Sequence, residues 1–123
     1  MPKNILICED EKILAGLLQK KLTQEGYEVF WAQDGNEGLK KMKEKKFDLV
    51  LLDILMPELD GFEVIEAMKK DKDLKNIPIV IVSNSGQPVE IERAQKLGVN
   101  DWLIKTEFDP KEVVDKVVKQ IGR

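Results

Sequence analysis

The chain reads as a single α/β domain built on a parallel sheet, and three observations lead there. Short β-type runs alternate with helical patterns from end to end, giving five βα units in 123 residues. Three of the runs, residues 5–7, 49–52 and 79–82, are continuously apolar, as strands must be when helices cover both faces of a sheet. At 42% hydrophobic residues the chain has enough apolar material for one core of its own and no room for a second domain or an output domain.

Each element can be justified in turn. Asn4–Cys8 is the first strand, and Leu14, Leu17, Leu18 and Leu22 then recur at helical spacing. These leucines are expected to cover the sheet, with Gly26 as the helix stop. Residues 27–32 (YEVFWA) mix polar and aromatic side chains and read as an edge strand in which Trp31 serves packing or the strand surface, with no functional role. Asp34 is an N-cap acid three residues before Glu37, which fixes the start of the second helix. That helix ends in the basic run 40–46 (KKMKEKK), a solvated terminus whose cations complement the helix dipole rather than a binding patch. Leu49–Leu52 and residues 77–82 are the interior third and fourth strands, and the short Asp101–Ile104 is a second edge. Asp109 and Glu112 repeat the cap, with Pro110 in the tolerated first turn, and Val113, Val114, Val117, Val118 and Ile121 make the stripe of the last helix.

Composition excludes several function classes. A net charge of −3 gives no reason to expect nucleic acid or an anionic membrane as a direct partner. No apolar segment approaches the ~20 residues needed to span a bilayer, and the N-terminus lacks a signal-peptide pattern. The lone Cys8 excludes an intramolecular disulfide, fits a reducing cytoplasmic location, and sits in an apolar run as a buried structural thiol.

Chemistry concentrates where the strands end. Strand C-termini of a parallel sheet all open on one side, so the residues just after each apolar run share a crevice. Those residues are Glu9, Asp10 and Glu11 after the first strand, Asp53 after the third, Ser83, Asn84 and Ser85 after the fourth, and Lys105 after the fifth. Clustered carboxylates repel, and a divalent cation resolves the conflict. With no histidine in the chain and only oxygen donors in the crevice, a hard ion such as Mg²⁺ fits best. A carboxylate left free could then attack phosphorus while the ion and Lys105 neutralise the transferred charge and Ser83 donates to a phosphoryl oxygen.

The acid pair Glu9 and Asp10, Asp53 with Pro57 and Gly61 downstream, Ser83, and Lys105 after Asp101–Ile104 together resemble the receiver domain of bacterial response regulators in two-component signalling. The likeness covers essentially the whole chain. It implies a doubly wound, flavodoxin-like fold with five parallel strands in the order 2-1-3-4-5. It implies that Asp53 accepts a phosphoryl group from a phosphohistidine of a sensor histidine kinase or phosphotransfer protein. Asp10, Asp53 and the backbone carbonyl of Leu55 would hold Mg²⁺, with Glu9 acting directly or through water. Lys105 and Ser83 would contact the phosphoryl group, Ser83 would move on activation, and Trp102 stands where the family carries its aromatic switch residue. The implied output is binding of a downstream protein through the surface near the last two strands and helices, with a phosphorylation-dependent homodimer as one form. Such a protein is a stand-alone switch, not a turnover enzyme.

Departures from the family pattern bear on rate and geometry. Thr106 follows Lys105 where the family usually has a proline in a cis peptide, and Asn84 stands where a smaller residue is usual. Leu55 and Ser85 occupy positions that tune autodephosphorylation in the family. An apolar Leu55 is expected to slow attack by water. Glu11 reads as a solvated acid at a helix start, and Trp102 equally as half-buried packing. A Mg²⁺-dependent aspartyl-phosphate phosphatase would want an acid two residues after Asp53, where Leu55 stands. A flavin-phosphate site would be repelled by Glu9, Asp10 and Glu11. A degenerate receiver used only for docking usually loses one of the acids or the lysine, and none is missing here.

Overall fold

The computed structural model describes residues 2–56, 59–106 and 109–123. Its elements alternate strictly: β1 (Asn4–Cys8), α1 (Lys12–Gln24), β2 (Glu28–Ala32), α2 (Gly35–Glu44), β3 (Leu49–Leu52), α3 (Gly61–Lys69), β4 (Ile79–Ser83), α4 (Pro88–Lys96), β5 (Asp101–Ile104) and α5 (Pro110–Ile121). All strand pairs are parallel, and the order is β2-β1-β3-β4-β5. The three continuously apolar runs are the interior strands and the two mixed runs are the edges, as their residue patterns require.

The two-residue period of the strands divides the core into two layers. Ile5, Ile7, Leu49, Leu51, Val80 and Val82 face one side, where α1 and α5 cover them with Ala15, Leu18, Leu22, Val113 and Val117. Leu6, Cys8, Val50, Leu52, Ile79 and Ile81 face the other, under Met42, Val64, Ile65, Met68 and Ala94 of α2, α3 and α4. Each fully buried aliphatic side chain contributes roughly 1.5–3 kcal/mol. Cys8 lies in this second layer as a buried free thiol.

α1 departs from its sequence pattern. Only Ala15, Leu18 and Leu22 are buried, whereas Leu17 is 49% and Ile13 90% exposed. At 100° per residue Leu17 lies well round the helix from the Leu18 and Leu22 stripe, so a run of leucines overstated the width of the buried face. Gly26 does follow this helix, in the left-handed region at φ +99°. Two strand starts also shift. Tyr27 precedes β2, with its phenol donating to the Gly122 carbonyl at 2.7 Å, and Ile77 donates its N–H to Leu74 in the turn before Pro78.

Side-chain caps start α2, α3 and α5. Asp34 accepts from the Glu37 N–H and Asp109 from those of Lys111 and Glu112. A full capping box, Asp60 with Glu63, starts α3. The D-x-x-E spacing at 60–63 carried that signal.

Asp101 ties β5 to α5. Its carboxylate accepts from Lys116 at 3.1 Å and from the Gln120 amide. Burial alone would raise this carboxyl, but the bonds from Gln120 and Lys116 prevail and hold it below its ordinary value. A depressed folded value means that the contribution to stability is present above the unfolded pKa, about 4, and is lost as pH falls through the folded one. Asp101→Asn is expected to cost about 1–2 kcal/mol at neutral pH, with the deficit closing in acid. Urea midpoints measured across the acid range check this.

Candidate functional site

Three site residues stand one step beyond their strands with their backbones still pinned to a neighbour. Glu9 N–H donates to the Ala32 carbonyl at 3.0 Å, Asp53 N–H to Cys8 at 3.0 Å, and Lys105 N–H to Ser83 at 2.8 Å. The sheet therefore aims these side chains, and the β1, β3 and β5 ends converge as the topology demands.

Lys105 is the hub. Its ammonium donates to the Glu9 carboxylate at 2.9 Å, to Asp53 at 3.0 Å and to Glu11 at 2.7 Å. The side chains of Lys105, Glu9 and Asp53 are only 6%, 3% and 2% exposed, whereas Glu11 is 52% exposed. Glu11, expected to be a solvated helix start, is thus part of the site. Its N-cap position predicts where its backbone sits, not where its side chain turns. The Asp53 carboxylate is held at both oxygens, since Oδ1 also accepts the Leu55 N–H at 3.2 Å.

Burial dominates the electrostatics. It pushes the Glu9 carboxyl up to about 7 against the bonds from Lys105 and the Glu11 N–H, with Asp53 adding to the rise. The same desolvation raises Asp53, opposed chiefly by Lys105. Burial alone would lower Lys105, but its bonds to Glu11, Glu9 and Asp53 prevail and hold the ammonium above the ordinary lysine range. One cation thus leaves the acids under-compensated. Oxygens of Glu9, Asp10 and Asp53 lie within 4.8 Å of one another, with Asp10 exposed and the other two buried. This donor set, all carboxylate and short of positive charge, fits a hard divalent cation.

Ser83 is fully buried at the end of β4, and its hydroxyl accepts the Ser85 N–H at 3.3 Å. Trp102 is half-buried against the α2–α4 layer, tilted on Phe62 at 6.4 Å. Its indole N–H donates to the Ser85 carbonyl at 2.7 Å, so packing and contact with the β4–α4 loop coexist in one side chain. Trp31 is half-buried against the α1–α5 layer, and its indole N–H donates to the Glu9 carbonyl at 2.7 Å. Asn84 and Thr106 are exposed, and no cis peptide occurs among the described residues, so Lys105 reaches Asp53 through a trans bond to Thr106. The Leu55 side chain is 57% exposed. Pro57 lies outside the described residues.

Comparison with known proteins identifies the family and the fold. The family model for the response regulator receiver domain matches residues 5–118. The alkaline phosphatase synthesis transcriptional regulatory protein PhoP of Bacillus subtilis is 37% identical over 117 residues, which is 95% of this chain and 48% of that protein. A probable transcriptional regulator, ycf27 of Guillardia theta, is 34% identical over 94% of this chain and 44% of its own length. The chain thus spans about half the length of these curated relatives. Among solved structures, the chemotaxis protein CheY4 of Vibrio cholerae superposes with a TM-score of 0.91 at 27% identity, covering 98% of this chain and 99% of that one. TrrA of Thermotoga maritima, solved in complex with Mg²⁺ and BeF, gives 0.84 at 33% identity over 96% and 98% of the two chains. Among the described residues no helix is long and apolar enough to cross a membrane. By sequence and by fold, the chain belongs to the response regulator receiver domains of two-component signalling.

Proposed function

We propose that this receiver is switched by transfer of a phosphoryl group to Asp53, and the observation that carries the reading is Lys105 bonded at once to Asp53 and Glu9 in a buried pocket. An Asp53 carboxylate oxygen attacks phosphorus of a phosphohistidine on a histidine kinase or phosphotransfer protein. The N–P bond breaks, its electron pair stays on the imidazole, and Asp53 carries an acyl phosphate. Lys105, already 3.0 Å from Asp53, is placed to follow the charge onto a phosphoryl oxygen. Glu9, Asp10, Asp53 and the Leu55 carbonyl would hold Mg²⁺, which when bound offsets the negative charge of the acids and the incoming group. TrrA, with its bound Mg²⁺ and BeF, supports this assignment of the pocket.

The switch runs through Ser83. Its hydroxyl would turn to the new phosphoryl group, drawing on the β4–α4 loop that Trp102 holds at Ser85. The surface of α4, β5 and α5 would then shift in population toward a form that binds a downstream protein or a second copy of the chain. Ile13 and Leu17, exposed on α1, the helix that Glu11 starts, suit contact with the donor protein.

Incubation with Mg²⁺ and acetyl phosphate, followed by intact mass, tests the reading. One added phosphoryl group on the wild type and none on Asp53→Asn is expected, and an unlabelled wild type overturns it. Leu55, apolar beside Asp53, offers no polar group to orient water, so the phosphoryl group is expected to persist for minutes. Loss of the added mass within seconds would count against that role for Leu55, and Leu55→Asn is expected to shorten the lifetime several-fold, by roughly two to ten times.

A further inference from the structure

We infer that Glu11 is a positioning residue that occupies Lys105 until the phosphoryl group arrives, and so sets how readily the pocket takes that group. The inference rests on the assignment of Asp53 as acceptor. Its basis is the contrast among the three carboxylates on the Lys105 ammonium. Glu9 and Asp53 are 3% and 2% exposed and anchored by the sheet, while Glu11 is 52% exposed and makes the shortest of the three bonds, 2.7 Å.

Position 11 is the N-cap of α1, where a short polar side chain would ordinarily accept from the first-turn N–H groups. Glu11 makes no such bond, and its side chain reaches across to β5 instead. Its helical role is carried by the backbone alone, through the Ala15 N–H to Glu11 carbonyl bond at 3.0 Å. The carboxylate is therefore free to leave Lys105 without loosening the helix, since water replaces the bond on the half-exposed Glu11 side and the buried ammonium keeps Glu9 and Asp53.

Lys105 has three donors, and in the unmodified protein all three are spent on Glu9, Asp53 and Glu11. A phosphoryl oxygen can be received only if one partner is released. Glu9 and Asp53 are held inside the pocket, so Glu11 is the partner that can withdraw to solvent and free a Lys105 donor before the charge on Asp53 has moved to the phosphoryl group. It also adds a negative charge at the mouth through which an anionic donor must pass.

Calorimetric titration of beryllofluoride at saturating Mg²⁺ tests this on the full chain, comparing wild type with Glu11→Gln and Glu11→Asp. Glu11→Gln keeps the size of the side chain, removes its charge and weakens its hold on Lys105. It is expected to bind about three- to fivefold tighter and to label faster with acetyl phosphate by a similar factor. Glu11→Asp, one methylene short of Lys105, is expected to fall between Gln and wild type. A Glu11→Gln affinity equal to or weaker than wild type overturns the inference, as does a lowered urea midpoint with unchanged affinity, the mark of a merely structural tie. Failure of the wild type itself to bind beryllofluoride or take phosphate would instead refute the acceptor role of Asp53.

Discussion

Asp53→Asn is expected to reduce phosphate incorporation by at least about a hundredfold while leaving the chain folded. The amide oxygen has no negative charge with which to attack phosphorus, and no other carboxylate in the pocket replaces it. Glu9 is bonded to the Lys105 ammonium at 2.9 Å. Asp10 is exposed rather than held at the pocket floor. The fold should survive because burial already disfavours the Asp53 charge, so a neutral side chain of the same size relieves a cost. Lys105 keeps Glu9 and Glu11 as partners. Intact mass after exposure to acetyl phosphate and Mg²⁺ measures the first effect, and urea denaturation without metal measures the second. Labelling equal to wild type would move the acceptor elsewhere.

Gly61→Ala is expected to destabilise the chain by about 2–3 kcal/mol. A Cβ there would lie 2.5 Å from the Asp53 carbonyl oxygen and 2.7 Å from both Cα and Cδ1 of Ile54. Two of these contacts are backbone, on the segment that carries Asp53, so relief requires moving either α3 or Asp53. Gly61 also donates its N–H to the Ile54 carbonyl at 2.8 Å, which fixes the close approach. Gly16→Ala is the control: nothing lies within 4 Å of a Cβ at that helical position, and the change is expected to stabilise by up to about 1 kcal/mol. Urea midpoints of the two variants should shift in opposite directions. A Gly61→Ala midpoint equal to wild type would contradict the packing argument.

How far the sequence could be read depends on which force decides each feature. The three apolar runs had to be interior strands because burial on both faces leaves no alternative, and the site followed from where those strands end. Glu9, Asp53 and Lys105 meet because parallel strands finish on one side. Features decided by side-chain direction were less legible. Glu11 was placed correctly at a helix start, yet its carboxylate answers to Lys105, 94 residues away in sequence, which no local pattern encodes. Leu17 shares the spacing of its neighbours but not their burial, because the helix presents a narrower face to the sheet than its leucines suggest. Gly61 was recognisable as a recurring mark, and its physical reason needed the Asp53 carbonyl beside it. Asp60 and Glu63 form a capping box whose spacing was there to be read.

The backbone bonds that carry the sheet ladder one residue past β1, β3 and β5 have a consequence for how a message can leave the pocket. Asp53 is anchored between the central strands β1 and β3, in the part of the molecule that opens last, whereas Lys105 follows the edge strand β5. The receiving end is thus a fixed anvil. Whatever travels outward must do so through the softer margin, the β4–α4 loop and the edge strand with its half-buried tryptophan. A protein divided in this way can vary its listening partners by changing the margin, without disturbing the residues that take the blow.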